Sequence, residues 1–118
     1  MFSSLFGGSN SSGEKPGRVS ARDAQAKLAA NPTPFLLDVR EQSEFRQGRI
    51  AGAVLIPLGQ LRTRVAELPA DREIIVVCAS GSRSGSAVNA LQKAGLKAIN
   101  LDGGMGAWAR AGLPVERG

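Results

Sequence analysis

The most apolar stretch of the chain, Ile74-Ile75-Val76-Val77, runs into a cysteine, Cys78, and then into a small polar loop, Ala79-Ser80-Gly81-Ser82-Arg83-Ser84. A thiol in that position is a candidate nucleophile. A strand that hands a cysteine to a Gly/Ser loop ahead of a helical pattern turns backbone N–H groups and the positive end of a helix dipole toward one sulfur. A free thiol with a pKa of about 8.5 is only roughly 3% thiolate at pH 7, so such a cradle decides whether it reacts. The chain has no histidine. A Cys-His dyad is therefore excluded, and activation falls to the loop amides, the helix terminus and Arg83. A lone cysteine behind four β-branched residues also suits plain core packing; the loop that follows favours chemistry.

Two more charged residues end an apolar run. Phe35-Leu36-Leu37 leads into Asp38-Val39-Arg40, with Glu44 shortly after. Asp38 and Arg40 are expected to hold the Cys78 loop in shape by pairing with neighbours, with Glu44 as a partner for Arg40.

The surrounding pattern supplies the frame. Arg18-Val19-Ser20 reads as a strand end, with Ser20 capping a helix that carries Ala21, Ala24 and Leu28 on one face, stopped by Asn31-Pro32-Thr33-Pro34. A short helical piece is expected around Ser43-Glu44-Phe45. A strand follows at Ala53-Val54-Leu55-Ile56, and Pro57 opens a helix with Leu58, Leu61, Val65 and Leu68 at helical spacing. The remaining units are a strand over 73–77, a helix over 84–94 closed by Gly95, a strand over 98–101, and a helix carrying Met105 and Trp108 after the Asp102-Gly103-Gly104 turn. Alternating strands and helices predict an α/β domain with a central parallel sheet flanked by helices on both sides. Asp38, Arg40 and Cys78 then lie at the carboxyl edge, where such sheets bind ligands.

The chain has 118 residues and a net charge of +5. Residues 1–17, Gly/Ser-rich and polar, are expected to form a flexible tail, leaving one domain over 18–118. One cysteine and no histidine exclude an internal disulfide and the usual zinc and iron–sulfur ligand sets, so neither metal nor cofactor is expected. The arginines are scattered and aromatic residues are few, which argues against nucleic acid and for small anionic ligands. No segment has the length of a membrane span and no secretory leader is visible, making the cytoplasm the expected location.

Together these motifs resemble a single-domain rhodanese of the sulfurtransferase superfamily, from Val19 to Val115. Leu36-Leu37-Asp38-Val39-Arg40-Glu41, Glu44-Phe45 and Gly48-Arg49-Ile50 with Gly52-Ala53 are similar to the family's front motif. Cys78 to Arg83, with four residues between, fits its active loop, and Gly103-Gly104-Met105, Ala107-Trp108 and Gly112-Leu113-Pro114 fit its closing motif. Arg49 stands where the family usually has histidine, and Ala51 where proline is common; that turn is read as structural.

The resemblance implies a two-step transfer. Cys78 thiolate takes the outer sulfur of a small anionic donor such as thiosulfate, or of a persulfide, and the resulting persulfide passes it to cyanide or a thiol acceptor. The lack of a second cysteine makes that acceptor external. Residues 79–84 are expected to bind the donor, with Arg83 meeting its anionic end. A low thiol pKa and an exposed sulfur would also suit oxidation sensing. Two rival readings remain. A phosphatase or arsenate reductase would resemble a loop with five residues between Cys and Arg, one more than here. A catalytically silent binding module of the same fold would be free to lose the thiol that this chain keeps.

Overall fold

Ile74, Val76 and Cys78 pack on one side of a sheet, and Ile75 and Val77 on the other. Side chains alternate along a strand, so an unbroken apolar run needs cover on both faces. The structure is a computed structural model and describes residues 17–118; the tail expected over residues 1–17 lies, Gly17 apart, outside the described residues. In chain order the elements are β1 (Arg18–Val19), α1 (Ala21–Leu28), β2 (Phe35–Asp38), α2 (Gln42–Gln47), β3 (Val54–Leu55), α3 (Leu61–Arg64), β4 (Ile74–Val77), α4 (Ser82–Lys93), β5 (Ala98–Leu101) and α5 (Gly104–Arg110).

The five strands form one parallel sheet in the order β1-β5-β4-β2-β3. On one side Leu61, Ala87, Val88 and Leu91 of α3 and α4 cover Leu37, Ile74 and Val76. On the other, Ala21, Ala24 and Trp108 of α1 and α5 cover Leu36, Ile75 and Val77. Helices on both faces are what the alternating pattern predicts. The chain leaves β2 outward to β3 but leaves β4 in the opposite direction, to β5. The gap between the carboxyl ends of β2 and β4 is thus the topological switch point, the natural crevice of an open α/β sheet. Asp38 ends β2, and Cys78 directly follows β4.

Ser20 caps α1 as expected, its side chain accepting from the Asp23 amide at 3.1 Å. The segment after Pro57 departs from the single helix expected. Leu58–Gln60 and Val65–Glu67 are 3₁₀ turns around a four-residue α3, and Arg64, at φ −120°, breaks the run. Leu61 and Leu68 still reach the core, because anchors at this spacing satisfy either kind of turn. Among the described residues no helix is long and apolar enough to cross a membrane.

Gly103 and Gly104, both at positive φ, start α5 beneath the Cys78 loop. A Cβ on Gly104 would strike the Cys78 carbonyl oxygen and lie 2.8 Å from the Ala79 carbonyl. Gly104→Ala is expected to lower stability by about 2–4 kcal/mol in chemical denaturation. Gly95→Ala, also at positive φ but facing open space, should lose only about 1 kcal/mol.

Candidate active site

A helix begins with N–H groups that its own turns cannot satisfy, usually met by the side chain of the capping residue. In α4 that residue is Gly81, at φ +99°, which has no side chain to offer. The sulfur of Cys78 takes the role. It accepts from the Ser84 amide at 3.3 Å, the Gly81 amide at 3.1 Å and the Ser84 hydroxyl at 3.3 Å. The helix starts at Ser82, two residues before the expected Ser84, and this brings Ser84 N–H onto the sulfur within the first turn.

The loop is pinned from its other side by α5, whose Met105 and Gly106 amides donate to the Cys78 and Ala79 carbonyls at 2.8 and 3.0 Å. Asn100, in β5, ties the two halves together. Its Nδ2 donates to the Gly81 carbonyl at 3.0 Å, and its Oδ1 accepts from the Ser84 hydroxyl. Sequence reasoning missed Asn100; an amide inside an otherwise apolar parallel strand was the signal available. Ser84 has one hydroxyl proton for two acceptors, so the Cys78 sulfur and Asn100 Oδ1 compete for it.

Burial raises the Cys78 pKa, but the Ser84 hydroxyl and the amides of Ser84, Gly81 and Ser80 outweigh it and leave the thiol below its ordinary value. The sulfur is nevertheless covered: Cys78 has no exposed surface and belongs to the core cluster. The exposed thiol expected for oxidation sensing is not found, because the loop closes around the atom it stabilises. Of the loop residues predicted to bind a donor, Ser80, Gly81 and Ser84 turn their amides to the sulfur. Ala79, Ser80 and Ser82 expose their side chains to solvent.

Asp38 and Arg40 pair with each other. Arg40 is only 5% exposed, and its Nε and Nη2 donate to the Asp38 carboxylate at 2.8–3.1 Å. Arg40 also donates to the Gly48 carbonyl at 2.8 Å and the Glu44 carbonyl at 3.3 Å. The pair therefore shapes the segment after β2, and through it places Glu44, without bonding the Cys78 loop. Arg40 was expected to engage Glu44 and does so at the backbone only. The Glu44 carboxylate instead holds Arg83, both of its oxygens accepting at 2.8 Å in a two-pronged bond. It also accepts from the Glu41 amide at 2.9 Å.

Arg83's bond, together with the Glu41 amide and the charges of Arg83 and Arg40, outweighs burial and brings the Glu44 pKa down to about 2 from its ordinary 4.5. Glu44 in turn raises the Arg83 pKa, and the nearby Cys78 sulfur adds to the effect. Arg49, at the family's usual histidine position, serves the turn. Its backbone bridges Glu116 at 2.8 and 2.9 Å, and its guanidinium lies 4.9 Å from the centre of the Phe45 ring.

Residues 20–111 match the Rhodanese-like domain family. The chain belongs to that family. A "Sulfurtransferase" of Allochromatium vinosum is 36% identical to this rhodanese-like domain over 98 residues, covering 82% of this chain and 92% of the relative. The "Putative sulfurtransferase YtwF" of Bacillus subtilis is 36% identical over 90 residues, covering 76% and 87%. The crystal structure of a rhodanese-related protein from Thermoplasma volcanium superposes with a TM-score of 0.79 at 35% identity, covering 84% of this chain and 96% of that one. Family and relatives agree on sulfur transfer as the general chemistry.

Two outcomes are expected. Ser84→Ala removes a hydroxyl donor from the sulfur and should raise the thiol pKa. This is measurable by thiolate absorbance because Cys78 is the only cysteine, and nucleophilic rates at neutral pH should fall on the order of tenfold. The Glu44–Arg83 pair has a depressed carboxylate pKa, so its stabilisation is complete above about pH 4.5 and disappears as pH falls toward about 2. Both side chains are about a third exposed, so solvent screening holds the gain near or below about 1 kcal/mol. Thermal unfolding of wild type and Glu44→Gln across that range should converge at the acid end.

Proposed function

We propose that the protein is a sulfurtransferase that carries sulfane sulfur on Cys78 as a persulfide. The carrying observation is that this sulfur caps α4 and accepts from two amides and a hydroxyl. Donors fixed in this way favour an anion on the sulfur both before and after it gains a second sulfur atom.

In the first half-reaction the Cys78 thiolate attacks the outer sulfur of the donor. A Sγ–S bond forms, the donor's S–S bond breaks, and the electron pair leaves with sulfite when the donor is thiosulfate, or with a thiolate when it is a persulfide. In the second half-reaction cyanide or an external thiolate attacks the outer sulfur, and the electron pair returns to Sγ. Neither half needs a cofactor or an outside oxidant. The N–H groups that hold the resting thiolate receive it again as leaving group, so the same hydrogen bonds serve both directions. Because the sulfur is covered at rest, the loop must yield for the donor to reach it.

Wild type incubated with thiosulfate or glutathione persulfide is expected to gain one sulfur atom by intact mass and to lose it to cyanide as thiocyanate. Cys78→Ser should gain none. Absence of gain on the wild type with either donor would defeat the proposal and favour a binding role for the fold.

A further inference from the structure

Ser84 is fully buried, so its hydroxyl proton must go to one of the two acceptors beside it, the Cys78 sulfur or Asn100 Oδ1. The direction of the Asn100 amide is settled at its other end. Nδ2 donates to the Gly81 carbonyl at 3.0 Å, and a flipped amide would set two carbonyl oxygens against each other. Gly85 in α4 leaves room for this reach, since a Cβ there would lie 3.4 Å from Nδ2. Oδ1 therefore faces Ser84 as an acceptor for the proton that the sulfur also uses.

The two acceptors differ in when they bind that proton best. A neutral thiol is a weak acceptor and a thiolate a strong one, whereas the amide oxygen is the same at every stage. Burial raises the Cys78 pKa, and the Ser84 hydroxyl leads the groups that lower it. A side chain that holds this hydroxyl elsewhere works against the thiolate.

Resting on the sulfurtransferase reading, we propose that Asn100 is a positioning residue for Cys78: it holds the Ser84 hydroxyl proton while the sulfur is neutral, releases it when the sulfur is charged, and so moderates the reactivity of the thiol through Ser84. Asn100 favours the neutral form relative to the anion, opposite in sign to Ser84 itself. No covalent bond changes; the hydroxyl turns about Cβ–Oγ from one acceptor to the other. The buried hydroxyl then has a partner at each stage, and charge arriving on Sγ meets a donor that needs only to rotate. Loss of the Asn100 amide leaves the Gly81 carbonyl its helical bond from the Gly85 amide at 3.0 Å.

The test titrates the thiolate absorbance of Cys78 in wild type, Asn100→Leu, Ser84→Ala and the double variant, with circular dichroism as the check on fold. Asn100→Leu should move the midpoint down and raise the thiolate fraction below it about three- to tenfold. Sulfur loading from thiosulfate at the same pH should rise about two- to fourfold, because a less basic thiolate is also a weaker nucleophile. In the Ser84→Ala background the same substitution should change the thiolate fraction by less than about twofold, since nothing is left for Asn100 to act through. A merely structural Asn100 predicts the opposite sign, because a loosened loop withdraws its amides from the sulfur and raises the midpoint. Arg83, whose charge also acts on the sulfur, is common to all these proteins. Should Asn100→Leu not fold, NMR of isotope-labelled wild type decides: the Asn100 side-chain amide signals should move with the midpoint of the thiolate absorbance and lose most of that movement in Ser84→Ala.

An unchanged or raised midpoint in folded Asn100→Leu, an equal fall with and without the Ser84 hydroxyl, or Asn100 signals that ignore the titration would overturn the inference. These readouts concern the thiol alone. A wild type that loads no sulfur would instead remove the sulfurtransferase reading, and with it the part of Asn100 in transfer.

Discussion

The N-terminus of α4 has no capping side chain, and the structure around the site follows from the use of the Cys78 sulfur in its place. Gly81 must adopt a positive φ for the chain to turn back over the sulfur. Glycine is suited to that backbone, and the same lack of a side chain removes the ordinary cap. The orphan amides then turn to the nearest acceptor, a sulfur delivered by the central strand of a rigid sheet. The helix gains a cap and the thiol gains donors in one contact. An anion on Cys78 is therefore favourable to the fold as well as to chemistry.

Such a contact works only if both partners are held. β4, buried on both faces, fixes the sulfur from below. The first amides of α5 fix the Cys78 and Ala79 carbonyls, and the close approach of Gly104 leaves no room for a side chain between them. Asn100 completes the frame by bonding the carbonyl of Gly81 and the hydroxyl of Ser84. Two helix starts thus bracket one short loop, one acting on the sulfur and the other on the carbonyls. Rigid donors already in place need little rearrangement as charge moves on and off the sulfur.

Charge around this frame is arranged in pairs. Asp38–Arg40 is buried and shapes the connection after β2, which presents Glu44; Glu44 is about a third exposed and pairs with Arg83. A buried pair broken by removal of one partner leaves an unmatched charge in the interior, whereas the outer pair sits where solvent screens it. The inner pair is accordingly a structural element, whereas the outer one contributes little to stability.

The alternation of apolar runs with helical spacing was enough to read a parallel α/β sheet covered on both faces. The position of Cys78 at the end of an unbroken apolar strand, ahead of a Gly/Ser loop, was enough to single out the sulfur. These features rest on short-range rules of periodicity, caps and turns, which the order of residues carries by itself. Three others were not legible: the burial of the sulfur, the part played by Asn100, and the choice of Arg83 over Arg40 as partner of the Glu44 carboxylate. Glu44 and Arg83 lie 39 residues apart and Ser84 and Asn100 lie 16 apart. They meet because β2, β4 and β5 are neighbours in the sheet and end at the same edge. Charge type and spacing named the candidates, but only the packed sheet decided which carboxylate reached which guanidinium, since that choice depends on distances created by folding.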